Sequence, residues 1–280
     1  MDHNSKSNKN SYIPKLAKII AIKEEVAEPR AVKTFRTQFV EENGFSHKPG
    51  QCAMLSVLGK GEAMISISSS PLEKDYLQFS ILKMGRVTSA LHETQEGDVI
   101  GIRGPYGNSF PMEKWKGKNL IFIGGGIGLA PLWSVLSTAL EKKQDFGSLT
   151  LFYGARSSQD IVFKKELEDL KDKMTVHLSI DVEEPDWKEY VGFVPLNVLD
   201  KKPSPKNAIS ITCGPPIMIK FVIQNLQALG FKDEQIYTTV ENKMKCGIGK
   251  CGRCNIGLHY VCKDGPVYSW AELKNLPQEY

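Results

Sequence analysis

Four cysteines near the C-terminus have the chemistry and the spacing to hold metal. Cys246, Cys251, Cys254 and Cys262 form a C-x4-C-x2-C-x7-C array, with Gly247, Gly249, Gly252 and Gly257 interleaved. The first three follow the spacing of plant-type [2Fe–2S] ligation, in which a fourth thiolate comes from further along the chain. A loop wrapped around such a centre needs backbone at positive φ and N–H groups close to sulfur, and glycine supplies both. A structural zinc site also uses four thiolates, but usually as two separated C-x2-C pairs, and here Cys251 and Cys254 alone make one. Disulfides would need an oxidising compartment, which nothing in the chain suggests. The array therefore reads as an iron–sulfur centre, with zinc as the alternative.

Two further motifs could bring electrons to it. Gly124, Gly125, Gly126, Ile127 and Gly128 precede Leu129, Ala130 and Pro131, between an apolar run and a helical pattern. That is where a dinucleotide pyrophosphate meets backbone N–H groups and the positive end of a helix. The turn departs from G-x-G-x-x-G/A, because Leu129 stands where the third glycine would, so close packing is the competing explanation. The next apolar run ends in Tyr153-Gly154-Ala155-Arg156-Ser157-Ser158, without an acidic ribose anchor. Arg156 could accept a 2′-phosphate, while Asp160 lies near, so NAD and NADP both stay open. The second motif is Cys213-Gly214-Pro215-Pro216, again at a strand end before a helix. Cys213 is the candidate catalytic residue, its thiol placed to touch a nicotinamide ring; a small buried core cysteine is the alternative.

Two N-terminal segments could hold a flavin nucleotide: Met64-Ile65-Ser66-Ile67, and Ile81-Leu82-Lys83 running through Gly85 to Val87 and Thr88. Thr88 would open a helix and offer its hydroxyl and nearby N–H groups to a phosphate. A plain strand followed by a helix cap would look the same.

The elements that must position these residues change character along the chain. Residues 13–113 show short apolar and β-branched runs parted by turn residues, which suggests an antiparallel sandwich or barrel. A helix-like piece near 88–93 interrupts them. Residues 114–241 alternate strand-like runs (120–124, 149–155, 175–180, 208–214, 235–241) with helices (131–143, 162–171, 216–229), the rhythm of a doubly wound parallel sheet. Trp115-Lys116-Gly117-Lys118 is the expected joint, residues 242–280 form the cluster unit, and polar residues 1–12 read as a disordered tail.

At 280 residues the chain has room for two medium domains and a small appendage. A net charge of +4 is too mild to argue for nucleic acid. Leu120 to Leu140 is uncharged and about as long as a membrane span, but its glycine cluster and Pro131 divide it. No secretory signal is read at the N-terminus, and a cytoplasmic location is expected.

In this order, the Ser motif with G-x-x-T, the GGxGxAP turn, CGPP and the four-cysteine array resemble the ferredoxin–NADP reductase superfamily. The likeness is to the branch that ends in a [2Fe–2S] cluster. It extends to gamma subunits of NAD(P)-linked hydrogenases (sulfhydrogenases), with dihydroorotate dehydrogenase electron-transfer subunits and anaerobic sulfite reductase B subunits as relatives. The resemblance implies an FAD-binding β-barrel, an NAD(P)-binding α/β domain and a cluster domain. It assigns FAD to Ile65–Ile67, Leu82, Lys83, Val87 and Thr88, the nucleotide to 124–131 and 213–215, and the cluster to the four cysteines. Many members carry Arg-x-Tyr-Ser before the flavin; this chain has Ala63-Met64-Ile65-Ser66, and Lys83 or Arg86 is expected to supply the missing charge. The implied activity is an NAD(P)H-linked oxidoreductase feeding, or fed by, another subunit of a redox complex. A stand-alone flavin reductase and a zinc-stabilised, non-redox nucleotide-binding scaffold are the alternatives.

Overall fold

A computed structural model describes residues 11–41 and 44–277. Of the expected tail, residues 1–10 lie outside that range. Residues 11 and 12 already contact the first sheet: the Ser11 carbonyl accepts from Tyr106 Oη, and Tyr12 faces the Arg103 guanidinium.

The N-terminal half is a six-stranded antiparallel sheet built from β1 (Lys15–Val26), β2 (Val32–Phe39), β3 (Cys52–Val57), β4 (Gly61–Ser66), β5 (Leu77–Leu82) and β6 (Val99–Tyr106). Their order is β4-β3-β6-β1-β2-β5, and the two end strands come together as the sheet curls. Alternation drives the curl: Ala17, Ile19, Phe35, Leu55, Phe79 and Ile102 turn inward into one apolar core. Helix α1 (Arg86–His92) closes one end; it starts two residues earlier than Thr88, because Gly85 ends the preceding turn.

The second half is a seven-stranded sheet of order β10-β9-β8-β7-β11-β12-β15. Its strands are β7 (Asn119–Gly125), β8 (Leu149–Ala155), β9 (Thr175–Ile180), β10 (Tyr190–Val191), β11 (Ala208–Cys213), β12 (Ile236–Thr239) and, after the cysteines, β15 (Val267–Ser269). Pairing is parallel except between β12 and β15. Strands buried on both faces read as continuous apolar runs. On β7, Leu120 and Phe122 face α2 (Leu129–Glu141) and α3 (Lys164–Leu170). Ile121 and Ile123 face α4 (Val194–Lys201) and α5 (Pro216–Ala228). Trp115, in the expected joint between β6 and β7, is core: it is 2% exposed and meets the Tyr237 ring edge-on.

The cysteine-bearing segment adds a small hairpin, β13 (Asn255–Ile256) and β14 (His259–Tyr260), then α6 (Val261–Asp264), and after β15 the short α7 (Trp270–Leu273). The uncharged stretch from Leu120 is split among β7, a 3-10 turn (Gly126–Gly128) and α2. Among the described residues no helix is long and apolar enough to cross a membrane.

Candidate functional site

The cysteine loop folds around its own sulfurs. Gly247, Gly249 and Gly252 all take positive φ (78°, 70° and 71°), which turns successive N–H groups inward. Cys246 Sγ accepts from the N–H groups of Ile248, Lys250 and Cys251 at 3.4, 3.3 and 3.4 Å, and Cys262 Sγ accepts from Gly249 at 3.3 Å. Burial alone would push the Cys246 thiol up, but those three N–H groups outweigh it and bring it down to about 6. Among the described residues no three His, Cys, Asp or Glu side chains are grouped to hold one metal ion. Cys246, Cys254 and Cys262 are buried and Cys251 is exposed, over an apolar pad of Ile256, Val261 and Met244. Four cysteines in one glycine-rich loop, with N–H donors aimed at two of their sulfurs, fit an iron–sulfur cluster.

This loop is held from the first sheet. Arg103 of β6 donates to the Cys246 carbonyl at 2.9 Å, and the Tyr106 ring lies under Gly247. Just beyond β6, Asn108 holds the returning arm: its Nδ2 donates to the carbonyls of Asp264 and Val267, and its Oδ1 accepts from the Val267 N–H. Cys52, on β3, borders the same seam; burial pushes its thiol up to about 12, with Cys262 and Cys254 adding to it.

The two nucleotide motifs meet at the C-terminal edge of the parallel sheet. Gly124 at the end of β7 pairs with Cys213 at the end of β11. Sheet growth reverses between these strands, and that is the crevice where ligands bind in doubly wound folds. The motifs touch: a Cβ on Gly128 would lie 2.5 Å from the Cys213 carbonyl oxygen, and one on Gly125 would meet the Met218 sulfur and Pro215. Ala130 and Pro131, in the first turn of α2, are buried. Tyr153, fully buried on β8, donates to the Gly126 carbonyl at 3.1 Å and accepts from the Val162 N–H at 3.2 Å, so it pins the turn from below. Cys213 Sγ accepts from Thr239 Oγ1 at 2.8 Å, and burial pushes its thiol up to about 12. It is 2% exposed and belongs to the apolar core beneath the crevice. Glu241, just past β12, is exposed at its surface, while the atoms packed around it raise its carboxyl by desolvation.

A cavity of about 670 Å³ opens from this edge, within the usual range for ligand sites. Gly125–Ile127, Arg156, Pro215 and Met218 line it, with Arg30 and Leu82 reaching in from the first sheet. Asp160 and Asp181 also face it; Asp160 accepts from Ser157 Oγ, and burial raises the Asp181 carboxyl against the pull of Arg156. The sequence reading missed Asp181, Arg30 and Tyr153. Asp181 carries the usable signal, since it directly follows a strand-like run.

The flavin candidates surround the gap between β4 and β5. Along β4, Met64, Ile65 and Ser66 are half-buried, with Ile65 packed on the sheet's core, while Ile67 is buried. Ile81 is core, Leu82 half-buried, and Lys83 to Gly85 exposed. Val87 packs on the sheet's core. Thr88 Oγ1 accepts from the Met84 N–H at 3.0 Å and donates to the Gly85 carbonyl at 3.2 Å, so its hydroxyl shapes the turn. Lys83 pairs with Glu28 at 2.6 Å, and Arg86 donates to the Gly59 carbonyl at 3.0 Å. Both expected charge donors thus already have protein partners.

Residues 122–224 match the oxidoreductase NAD-binding domain family, and residues 241–274 match the iron–sulfur cluster binding domain of dihydroorotate dehydrogenase B. The chain is 37% identical to the sulfhydrogenase 1 gamma subunit of Pyrococcus furiosus, over 96% of its own length and 95% of the relative's. It belongs to the sulfhydrogenase gamma and dihydroorotate dehydrogenase B electron-transfer subunit family. Within that family it is also 39% identical to the sulfhydrogenase 2 gamma subunit of the same organism, over 93% and 96% of the two chains. A probable dihydroorotate dehydrogenase B electron transfer subunit of Methanocaldococcus jannaschii is 35% identical, over 91% of each. The family fold extends to the NADH-dependent reduced ferredoxin-NADP oxidoreductase structure, with a TM-score of 0.73 at 21% identity over 93% of this chain and 89% of that one. Like these relatives, the chain is an oxidoreductase subunit.

Proposed function

We propose that this chain passes electrons between NAD(P)H, FAD and a [2Fe–2S] cluster, to or from a partner subunit that carries the terminal chemistry. The observation that carries the reading is the set of four backbone N–H groups aimed at Cys246 and Cys262, in a loop that carries all four cysteines. Cys246, Cys251, Cys254 and Cys262 hold the cluster. Met64–Ile67, Ile81–Lys83, Gly85, Val87 and Thr88 line the FAD site. Gly124–Gly128, Ala130, Pro131, Arg156, Gly214 and Pro215 receive the nucleotide.

A bound flavin supplies the conversion between hydride and single electrons. The chain's own residues do the rest. The N–H groups at the start of α2 receive pyrophosphate, where the helix end favours negative charge. Tyr153 holds that turn in place by its carbonyl at Gly126. Cys213, whose thiol accepts from Thr239, supports the paired turns from below at the nicotinamide end of the site. The N–H groups around Cys246 favour negative charge on sulfur.

Anaerobic purification followed by absorption and electron paramagnetic resonance tests this. Flavin bands, about two irons per chain and a signal on reduction are expected. Cys254→Ser should lose iron and keep flavin. A colourless preparation that holds zinc and does not bleach with dithionite overturns the proposal. Native affinity purification should bring down a second redox subunit; recovery of the chain alone supports a stand-alone reductase.

A further inference from the structure

Arg103 is 5% exposed in an otherwise apolar strand. A buried guanidinium must place five N–H donors or leave a costly unsatisfied charge. All five have acceptors here. Nε and Nη2 donate to the two oxygens of Glu62 at 2.8 and 2.7 Å, and Nη2 also reaches the Lys245 carbonyl at 3.5 Å. Nη1 donates to Tyr106 Oη and to the Cys246 carbonyl, both at 2.9 Å. Glu62 lies on β4, two residues before Met64 in the strand assigned to FAD. Lys245 and Cys246 begin the cluster loop. One side chain therefore spans from the flavin strand to the first cluster ligand.

We propose that Arg103 is a positioning residue that docks the cluster loop on the flavin strand and, through its charge, raises the cluster's reduction potential. The inference rests on the cluster assignment above. A fixed positive charge behind the Cys246 carbonyl favours the state with one more electron. Glu62 opposes it, but its side chain is 35% exposed against 5% for Arg103, and it takes the Nε–Nη2 edge of the guanidinium while Nη1 meets the Cys246 carbonyl. The positive end of the pair faces the cluster. Removing either partner should then move the potential in opposite directions. A purely structural link would give shifts of one sign, or none.

The test is a redox titration of the purified holoprotein, followed by the resonance signal of the reduced cluster, with iron content measured alongside. Arg103→Met should disfavour cluster reduction about tenfold, which is about 59 mV for a one-electron couple. Glu62→Gln keeps an acceptor for Arg103 and touches no loop contact; it should favour reduction. Arg103→Lys keeps the charge without the five-donor fork. It should recover part of the potential while leaving residues 244–252 faster in hydrogen exchange than in wild type. Shifts of the same sign in Arg103→Met and Glu62→Gln, or reduction equilibria in both within twofold of wild type, overturn the inference. If Arg103→Met fails to load iron, Glu62→Gln decides alone, and a potential at or below wild type overturns it. Absence of any cluster signal in wild type sinks the cluster assignment instead, so the two failures are distinct.

Discussion

Replacing Gly128 by alanine tests whether the glycine turn and the CGPP turn form one unit. Gly128 has φ −61° and ψ −11°, a conformation that alanine accepts readily. Intrinsic preference would even favour the substitution by about 0.5–1 kcal/mol. The obstacle is contact. The added Cβ would lie 2.5 Å from the Cys213 carbonyl oxygen, 2.6 Å from Gly214 Cα and 2.7 Å from the Cys213 carbonyl carbon. All three are backbone atoms, so no rotamer change relieves them. Overpacking of this kind costs about 1–3 kcal/mol, so the propensity gain is overridden. At about 2–4 °C per kcal/mol for a domain of 150–250 residues, a cost of about 2 kcal/mol lowers the melting temperature by about 4–8 °C. The turns must also move apart, which widens the crevice, and KM for the nucleotide should rise. Gly126→Ala is the control. Its φ is +54° and nothing lies within 4 Å of its Cβ, so it pays backbone strain without pushing on Cys213. The assays are thermal melting of the flavin-loaded protein and steady-state kinetics with NADH and NADPH. A Gly128→Ala protein that melts within about 1 °C of wild type with unchanged KM would refute the reasoning.

Three further outcomes are expected. Tyr153→Phe leaves the Gly126 carbonyl and the Val162 N–H without their buried partner, and should cost about 1–3 kcal/mol in denaturant unfolding; an unchanged midpoint contradicts the pinning role. Asn108→Ala removes three hydrogen bonds to the arm beyond Cys262, so residues 262–268 should exchange amide hydrogens faster and iron should leave sooner under chelator; wild-type exchange there would discount the clamp. Burial lowers the imidazoles of His47, His92 and His177. The unfolded chain then binds more protons just below the ordinary imidazole value of about 6.5, so stability is complete above that value and is lost as pH falls through it. His92→Gln, which keeps a donor for the Ile81 carbonyl, should flatten the fall between pH 7.5 and 5.5. Comparing it with wild type isolates the imidazole from Glu241 and Asp181, whose raised carboxyls act with the opposite sign; parallel profiles would rule this out.

The nucleotide half was the more legible part of the sequence. β8 and β9 fall on residues 149–155 and 175–180 as expected, because strands buried on both faces leave unbroken apolar runs. Helix α4 and strand β10 went unread: residues 181–207 are mostly polar and proline-rich, and Pro195, in the first turn of α4, gives no periodic signal. β15 is three residues long and pairs with a strand about thirty residues earlier, which no local periodicity reveals. It also parted the two aromatics of the terminal segment. Tyr268 is buried against Gly265 beside the cluster arm, while Trp270 packs on the nucleotide-sheet core. At the site, residue type and spacing exposed the thiols and the glycine turns. Arg103, Asn108 and Tyr153 stayed hidden because each acts across the fold, on backbone atoms far along the chain.

β15 bears on how this protein can be taken apart. The segment that holds the thiols leaves the second sheet after β12 and comes back to lie beside it. Cutting the chain near residue 241 would strip that sheet of its outermost strand and bare β12, an invitation to intermolecular pairing. A shortened nucleotide-binding fragment made that way should be sticky, and a transplanted thiol module would carry an orphan strand. Any graft between relatives must move the border strand together with the sheet it completes.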